Sequence, residues 1–466
     1  MKKLVPIHII LTLQVFLLVG CSKTEFLNEK PSADIEQPTT IPAFQQLLEN
    51  TTIFNLTGGL AQIGADDLYV TDANWQTATA TERNAYIWND VIYDGDKNIT
   101  DWNTLYSAIF HANVVLEGLE KNNLTSTPEG KFTKGWALVN RAFAYYDLIN
   151  TFCVPYDVSS ATTDLGVPLR LSGNIDYTEQ RATLQKCVDL IINDLMTSID
   201  LLPATRPDNN LNRPWRNAVY AMLARIYHNH RNYDQAELYA DKSLDNYSVL
   251  LDYKTFSKTA NNPFTNKNGE IIYYANQIGS YATTTINTAG TKAFVSPTLI
   301  NMYEPNDPRK PLYFRVLANG FYGKKIGYQG VGNYHFTGLT TAEMYLIKAE
   351  CLARKQKTLE AMDKLNILLS NRWDSKMTVP EMTFIPKTAT NWQNALNQVL
   401  HERRKELVWR GLRWHDLRRL NKEGENITLT RTVDNKTYTL APNSPRYTMP
   451  IPDDEILFSG LQQNIR

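Results

Sequence analysis

Apolar positions recur every three or four residues in four stretches of this chain. From Trp102 to Leu119, Trp102, Leu105, Tyr106, Ile109, Val114 and Leu116 fall on one helical face. Beyond Pro128 and Gly130, the stretch Phe132–Ile149 carries Trp136, Val139, Phe143, Tyr146 and Ile149, which predicts an antiparallel helix pair over about 101–150. The second group, about 183–246, holds Leu184–Leu202, Arg213–His230 and Tyr233–Leu244, with Pro203 and Pro214 marking a helix stop and a start. Its run Ala221-Met222-Leu223-Ala224-Arg225-Ile226-Tyr227, followed by Asn232 to Glu237 and Ala240, has tetratricopeptide-like spacing. Small residues there let two helices approach closely, and a Tyr just after the turn fills the next groove. Thr341–Arg354 with Thr358–Leu369, about 341–371, repeats the logic through Ala342, Tyr345, Leu346, Ala349 and Leu352. The fourth stretch runs from Trp392 to Leu420, about 392–420.

Two long regions lack this period. One spans about Ile53 to Thr100 and is rich in Thr, Asn, Asp and rings, among them Tyr69, Trp75, Tyr86, Trp88 and Tyr93. The other, from about Tyr247 to Thr340, carries Tyr273, Tyr281, Phe294, Tyr313, Tyr322 and Tyr328 among glycines and asparagines. Irregular segments this long are uncommon in compact domains and are usually functional, and loops on a rigid frame are where binding residues sit. The expected fold is mainly α: a tetratricopeptide-like helical repeat scaffold with a large irregular lobe of loops, short strands and short helices. The lobe draws on about 53–100 and 247–340, within a single domain over 41–466.

The amino terminus is expected to lie outside that fold. Lys2 and Lys3 precede an apolar run, Leu4–Val19, interrupted by Pro6, His8 and Gln14 and too short to span a bilayer comfortably. It ends in Leu18-Val19-Gly20-Cys21, a lipobox, so residues 1–20 read as a lipoprotein signal peptide and Cys21 as the lipidated residue. Each buried methylene contributes about 0.8 kcal/mol, so several acyl chains anchor firmly. Residues 21–40, with Lys30-Pro31-Ser32 and Pro38, read as a tether. The plainer alternative is an uncleaved helix with an incidental cysteine.

Composition narrows the function. Lys+Arg and Asp+Glu both number 48, with no basic stripe for nucleic acid and no acidic tail. With Cys21 lipidated, Cys153, Cys187 and Cys351 remain, an odd set that matches no zinc spacing and is expected as buried free thiols. The segment Glu402–Arg419 is dense in Arg, Glu, His and Asp, yet reads as a helix and turn whose charges pair internally, Arg forks suiting Glu402, Glu406 or Asp416. Asp66-Asp67 and Asp453-Asp454 are adjacent in sequence, whereas a glycosidase needs two carboxylates facing each other across a bond. Turn or cap duty is the plainer reading, with sugar hydroxyls or Ca²⁺ as the alternative at Asp66-Asp67. His228 and His230, two apart on a helix, point to different faces. Gly327, Gly330 and Gly332 lack a strand-to-helix phosphate cradle, and neither HExxH nor GxSxG occurs. No catalytic residue, metal ligand or cofactor is therefore assigned, although a structural Ca²⁺ stays open.

A sugar offers an apolar C–H face to a ring and a rim of hydroxyls to polar side chains. On that chemistry the candidate ligand-binding residues are Asp67, Tyr69, Asn74, Trp75, Arg83 and Asn84 in the first irregular region, and Tyr281, Tyr322 and Tyr328 in the second. Each ring has packing within the lobe as its plainer role.

Several segments, in order, resemble the SusD/RagB family. Phe26-Leu27-Asn28-Glu29-Lys30-Pro31 follows the lipobox as in that family, and Ala112-Asn113 with Leu116-Glu117 is similar to its "aN.lle" helix. Arg141-Ala142, Tyr145-Tyr146 and Val154-Pro155-Tyr156 look like "RA..y....G.vPy"; Asp307-Pro308-Arg309 looks like "DpR"; and Glu343 to Glu350 looks like "aEmyLi.AEa". Most specific is Glu402-Arg403-Arg404-Lys405-Glu406-Leu407 with Gly411 to Arg419, which resembles "ERr.El..eG.RwfDLrR"; the end, Met449-Pro450-Ile451-Pro452 to Gln463-Asn464, resembles "lPIP…QNpgy". Cys153, Thr340 and Arg410 depart from the usual Gly, Arg and Glu, at scaffold positions.

The resemblance implies a lipid-anchored protein on the outer face of the outer membrane. Such a protein captures a glycan or oligosaccharide without catalysis and passes it to a SusC-like TonB-dependent transporter. A binder of peptides or another non-sugar nutrient, and a structural or adhesive surface protein, are the alternatives.

Overall fold

The computed structural model describes residues 38–174, 178–286, 290–325, 327–330 and 332–466. The first helix pair is α1 (Thr100–Lys121) with α2 (Pro128–Phe152), and α3 (Leu184–Ser198) packs on α2. The Thr127 hydroxyl accepts the Gly130 N–H, and Pro128 occupies a first-turn position that needs no donor. Next come α4 (Arg216–Asn229) with α5 (Tyr233–Asn246), then α6 (Thr341–Arg354) with α7 (Thr358–Ser370). α5 packs on α6, and α8 (Trp392–Glu406) lies against α6 and α7, so the pairs stack across the second irregular region. The alanines that predicted close approach, Ala221, Ala224, Ala236, Ala240, Ala342 and Ala349, are all buried.

The helix hairpins share one closure that the sequence hides. α1–α2, α4–α5 and α6–α7 each turn through a left-handed residue: Asn123 (φ 55°), Arg231 (φ 62°) and Gln356 (φ 62°). The following N–H then reaches back across the turn, Leu124 to the Leu119 carbonyl, Asn232 to Tyr227 and Lys357 to Leu352, each at 2.9 Å. This is the Schellman closure usually marked by glycine, and no glycine stands at these three positions.

One feature differs from the expected pattern, and two others give the irregular lobe its detail. The stretch 392–420 divides into α8 and α9 (Arg413–Lys422), because Trp409 (φ 56°) and Gly411 (φ 72°) take left-handed backbone that a continuous helix cannot hold. Region 53–100 contains short helices, Leu60–Gly64, Asp72–Gln76 and Ala80–Tyr86. They are too short to show a helical period; Asp101 Oδ1 accepts the Gly59 and Leu60 N–H groups at the start of the first, and the other two are set by caps, Thr71 on the Asn74 N–H and a Thr79–Glu82 capping box. The two irregular regions also pair with each other. Leu68–Val70 runs antiparallel to Ala293–Val295 with Tyr69 opposite Phe294, and Leu56–Thr57 runs parallel to Asn276–Gln277.

Residues 40–466 form one compact unit. The lipobox, Cys21 and Phe26–Pro31 lie outside the described residues. Among the described residues no helix is long and apolar enough to cross a membrane. Cys153, Cys187 and Cys351 are buried free thiols.

The charge-dense segment at α8 and α9 is a set of buried ion pairs. Arg309 Nη2 donates to Asp307 Oδ2 and Glu402 Oε2, both at 2.7 Å, and Arg372 Nη2 donates to Glu270 Oε1 at 2.7 Å and Glu406 Oε1 at 2.9 Å. Arg419 grips Glu350 with two bonds of 2.6 and 2.9 Å, and Arg419 and Arg403 share Asp416. His228 meets Glu350 at 2.8 Å while His230 stacks on Tyr156 at 4.3 Å, so the two histidines do face apart.

This interior predicts acid lability with a definite shape. Burial lowers His228 to about 4 and both His230 and His415 to about 3. These rings stay neutral when folded, whereas the unfolded chain takes up protons below pH ~6.5, so their stabilisation is complete above that pH and shrinks on acidification. Burial raises Asp147 to about 7, which acts oppositely: its stabilisation is present below pH ~4 and lost as pH rises through 7. For Asp416 and Glu406 burial pushes upward, but Arg403 and Arg419, and Arg372 and Arg309, outweigh it and hold each at about 2. Their stabilisation is lost as pH falls from ~4 toward 2. Urea midpoints against pH should therefore decline gently from pH 6.5 to 4 and steeply below 4. A midpoint flat down to pH 3 would contradict the burial of these pairs.

Candidate functional site

Strand pairing of the two irregular regions builds an aromatic shelf. Alternation on Leu68–Val70 buries Leu68 and Val70 and leaves Tyr69 half-buried. Opposite it, Phe294 stacks on Phe321 at 4.7 Å and 21°, and Phe321 meets Tyr69 at 5.5 Å and 39°. Phe321 is delivered by the hairpin Phe314–Val316 with Tyr322–Lys324. Its turn uses Gly320 at φ 82°, and the Asn319 Oδ1 accepts the Phe321 N–H at 3.2 Å. Tyr322, next along, lies under Lys310 Nζ at 5.5 Å.

Beside Tyr69 opens a groove of about 600 Å³. One wall is the hairpin Leu429–Val433 with Lys436–Leu440, which turns through Asp434 and Asn435, both left-handed. Leu429, Arg431 and Val433 point inward, so Thr428, Thr430 and Thr432 face out in a row. Ser296 and Thr298 supply hydroxyls from the other side. Buried Arg431 anchors the hairpin: its guanidinium lies 3.9 Å from the Tyr86 ring and 4.6 Å from Trp88, and donates to the carbonyls of Ile63, Gly64, Ala65 and Tyr86. Gln76 Nε2 ties the turn to the first region through Asp434 Oδ1 at 2.7 Å.

The acidic pair Asp66-Asp67 forms the groove's base. Arg413 Nε and Nη2 hold Asp66 at 2.7 and 3.0 Å, Arg404 Nη2 reaches Asp66 at 3.0 Å, and Arg404 Nε reaches Asp67 at 3.0 Å. Burial pushes Asp66 up, but Arg413 and Arg404 outweigh it and hold the carboxyl at about 2. Asp67 is driven upward by complete burial, which Arg404 only partly offsets. The quartet is internally neutral. Among the described residues no group of three or more His, Cys, Asp and Glu is placed to hold a metal.

The nine sequence-derived candidates divide by position. Tyr69 lines the groove, and Tyr322 adjoins the shelf through Phe321. Asp67 lies beneath the groove, buried and with its Oδ1 held by Arg404 Nε. Asn74 Nδ2 donates to the Lys292 carbonyl at 2.8 Å, half-buried Trp75 donates to Arg83 O at 3.0 Å, Arg83 to Ala78 O at 2.7 Å and Asn84 to Ile92 O at 3.1 Å. Trp75, Arg83 and Asn84 thus hold the segment together, and Asn74 ties it to the second irregular region. Tyr281 and Tyr328 are core residues: the Tyr281 hydroxyl donates to Asp101 Oδ2 at 2.7 Å, and Tyr328 bonds Glu270 under the Arg410 guanidinium at 3.9 Å. Neither presents a ring face. Phe294, Phe321, Thr430, Arg404 and Asn435 were not foreseen, although Asn319-Gly320 and the Thr428-x-Thr430-x-Thr432 alternation were legible hairpin signals. A second cavity of about 350 Å³ lies under the carboxy-terminal segment near Val154, Pro155 and Ile465, with no stacked rings.

A family model described as "Starch-binding associating with outer membrane" matches residues 25–228, and a SusD family model matches residues 229–465. No curated protein matches the sequence. A SusD superfamily protein from Bacteroides thetaiotaomicron superposes with a TM-score of 0.73 at 21% identity, covering 92% of this chain and 100% of that one. A SusD-like carbohydrate binding protein from Bacteroides vulgatus gives 0.67 at 19%, covering 91% and 97%. A laminarin-binding SusD-like protein gives 0.67 at 17%, covering 92% and 99%. At these identities the likeness is one of fold.

Proposed function

We propose that this chain, which belongs to the SusD family, is a non-catalytic surface lipoprotein that captures an oligosaccharide and hands it to a TonB-dependent outer-membrane transporter. The observation that carries the binding reading is the Tyr69–Phe321–Phe294 shelf at the edge of a hydroxyl-lined groove. Rings take the C–H face of a pyranose, and the threonine row takes its hydroxyl rim. The sugar-binding relatives of like fold support the same ligand class, and the lipobox at Cys21 supports the anchored location. Of the groove's carboxylates, Asp66 and Asp67 are both engaged by arginines, which supports the non-catalytic reading.

The test is calorimetric titration of a form lacking residues 1–21 with a panel of neutral and charged polysaccharides and of peptides. Tyr69→Ala and Phe321→Ala should each weaken the glycan that binds by about tenfold, since a stacked ring contributes roughly 0.5–1.5 kcal/mol beyond its buried area. Trp75→Ala separates sites: loss there alone would move the ligand toward the 72–84 helices. Binding of peptides but of no glycan would replace the sugar reading. Hydrolysis of any polymer by the pure protein would overturn the non-enzymatic one.

A further inference from the structure

Resting on that glycan reading, we propose that the groove selects uncharged glycans and that Asp72 is the residue that turns anionic ones away. Asp66, Asp67, Arg404 and Arg413 form a closed neutral quartet through contacts of 2.7–3.0 Å. Arg431, the other cation lining the groove, is buried and directs both terminal nitrogens to backbone carbonyls beneath the hairpin. An incoming carboxylate or sulfate would need a guanidinium fork or an ammonium facing it to offset its desolvation. To recruit Arg404 it would have to strip a buried aspartate of its partner, which leaves an uncompensated buried charge.

With the Arg431 guanidinium turned beneath the hairpin, the formal charge left exposed in the groove is Asp72. It is exposed, opens the short helix Asp72–Gln76, takes no ion-pair partner among the described residues, and lies close enough to bias the Tyr69 hydroxyl. An anion seated on Tyr69 would therefore meet a like charge, while the groove's own arginines are turned to Asp66, Asp67 and backbone carbonyls. Uncharged hydroxyls meet the opposite situation. The side chains of Ser296, Thr298, Thr428, Thr430 and Asn435 line the groove with no hydrogen bond to the protein among the described residues, so they are open to donate and accept. The site is built for neutral polar groups and against negative ones, and specificity of this kind comes from the repulsive element as much as from the attractive one.

The experiment pairs each neutral polysaccharide that binds, beginning with laminarin and amylose, with its sulfated derivative. Each pair is titrated into wild type, Asp72→Asn and Asp72→Lys at low and at physiological salt. The sulfated polymer should bind wild type about tenfold more weakly at low salt, with the gap narrowing as salt screens the repulsion. Asp72→Asn should close much of the gap, and Asp72→Lys should reverse it. The readout is the neutral-to-sulfated affinity ratio, which a general loosening of the groove would not shift with the sign of the residue. Equal or tighter binding of the sulfated polymer by wild type, or a ratio indifferent to residue 72, overturns the selectivity while leaving glycan capture standing. Binding of no glycan, neutral or sulfated, overturns both.

Discussion

Glu406→Ala is expected to cost about 3–5 kcal/mol of folding stability, the range for breaking a buried ion pair from one side. Glu406 is fully buried on α8 and faces two guanidinium groups. Arg372 donates to it from Nε at 3.1 and 3.2 Å and from Nη2 at 2.9 Å, and Arg309 Nη1 donates at 3.1 Å. Arg372 sits 3.7 Å from the Tyr253 ring and also bonds Glu270, while Arg309 also bonds Asp307 and Glu402. The network thus joins α8 and the end of α7 to the second irregular region. Removing the carboxylate leaves both arginines buried with one anion fewer, and neither can reach water without opening the interface. Glu406→Gln keeps the volume and part of the hydrogen bonding, so it should cost less. Urea unfolding of the two variants at pH 7 gives the comparison. A loss under about 1 kcal/mol for the alanine variant would mean that the network re-pairs or hydrates, against the geometry described.

Arg431→Ala should cost about 2–4 kcal/mol and also weaken glycan capture, because the guanidinium anchors the hairpin against Tyr86 and Trp88 and donates to four backbone carbonyls. Each buried carbonyl left without a donor costs roughly 1–3 kcal/mol, less what water recovers. Burial lowers the Arg431 pKa to about 10, and the group remains charged throughout the neutral range. Lysine should rescue poorly, since a point charge can neither lie flat between two rings nor fork toward several acceptors. Thermal melting and titration of Arg431→Ala and Arg431→Lys decide the matter. Retention of full affinity by the alanine variant would detach the threonine row from the ligand.

The two experiments also mark where sequence reasoning succeeds. Pairing within Glu402–Arg419 was legible, because an arginine fork on a helix beside Glu and Asp calls for such partners. Asp416 takes them inside the segment, from Arg403 and Arg419, whereas Glu402 and Glu406 take their arginines from outside it. The identity of those partners was not legible: Arg309 and Arg372 come from segments far away along the chain. Tyr281 and Tyr328 illustrate the converse. Both lie among Gly, Ser, Thr and Asn, a context that resembles an exposed ring, yet each hydroxyl finds a buried carboxylate, Asp101 or Glu270, that no local pattern announces.

By itself the sequence determined the helices and their pairing, since a helical face is written at a spacing of three and four residues and a hairpin brings neighbours together. It also determined the family, through motifs in a constant order. Only the tertiary structure brings the residues of the proposed site together. Tyr69 meets Phe294 and Phe321, and Gln76 meets Asp434, across more than two hundred residues of chain. These short strands and turns carry too few residues to show a period. Their register is set by which side chains the helical scaffold leaves room to bury, and that information exists only once the scaffold has formed.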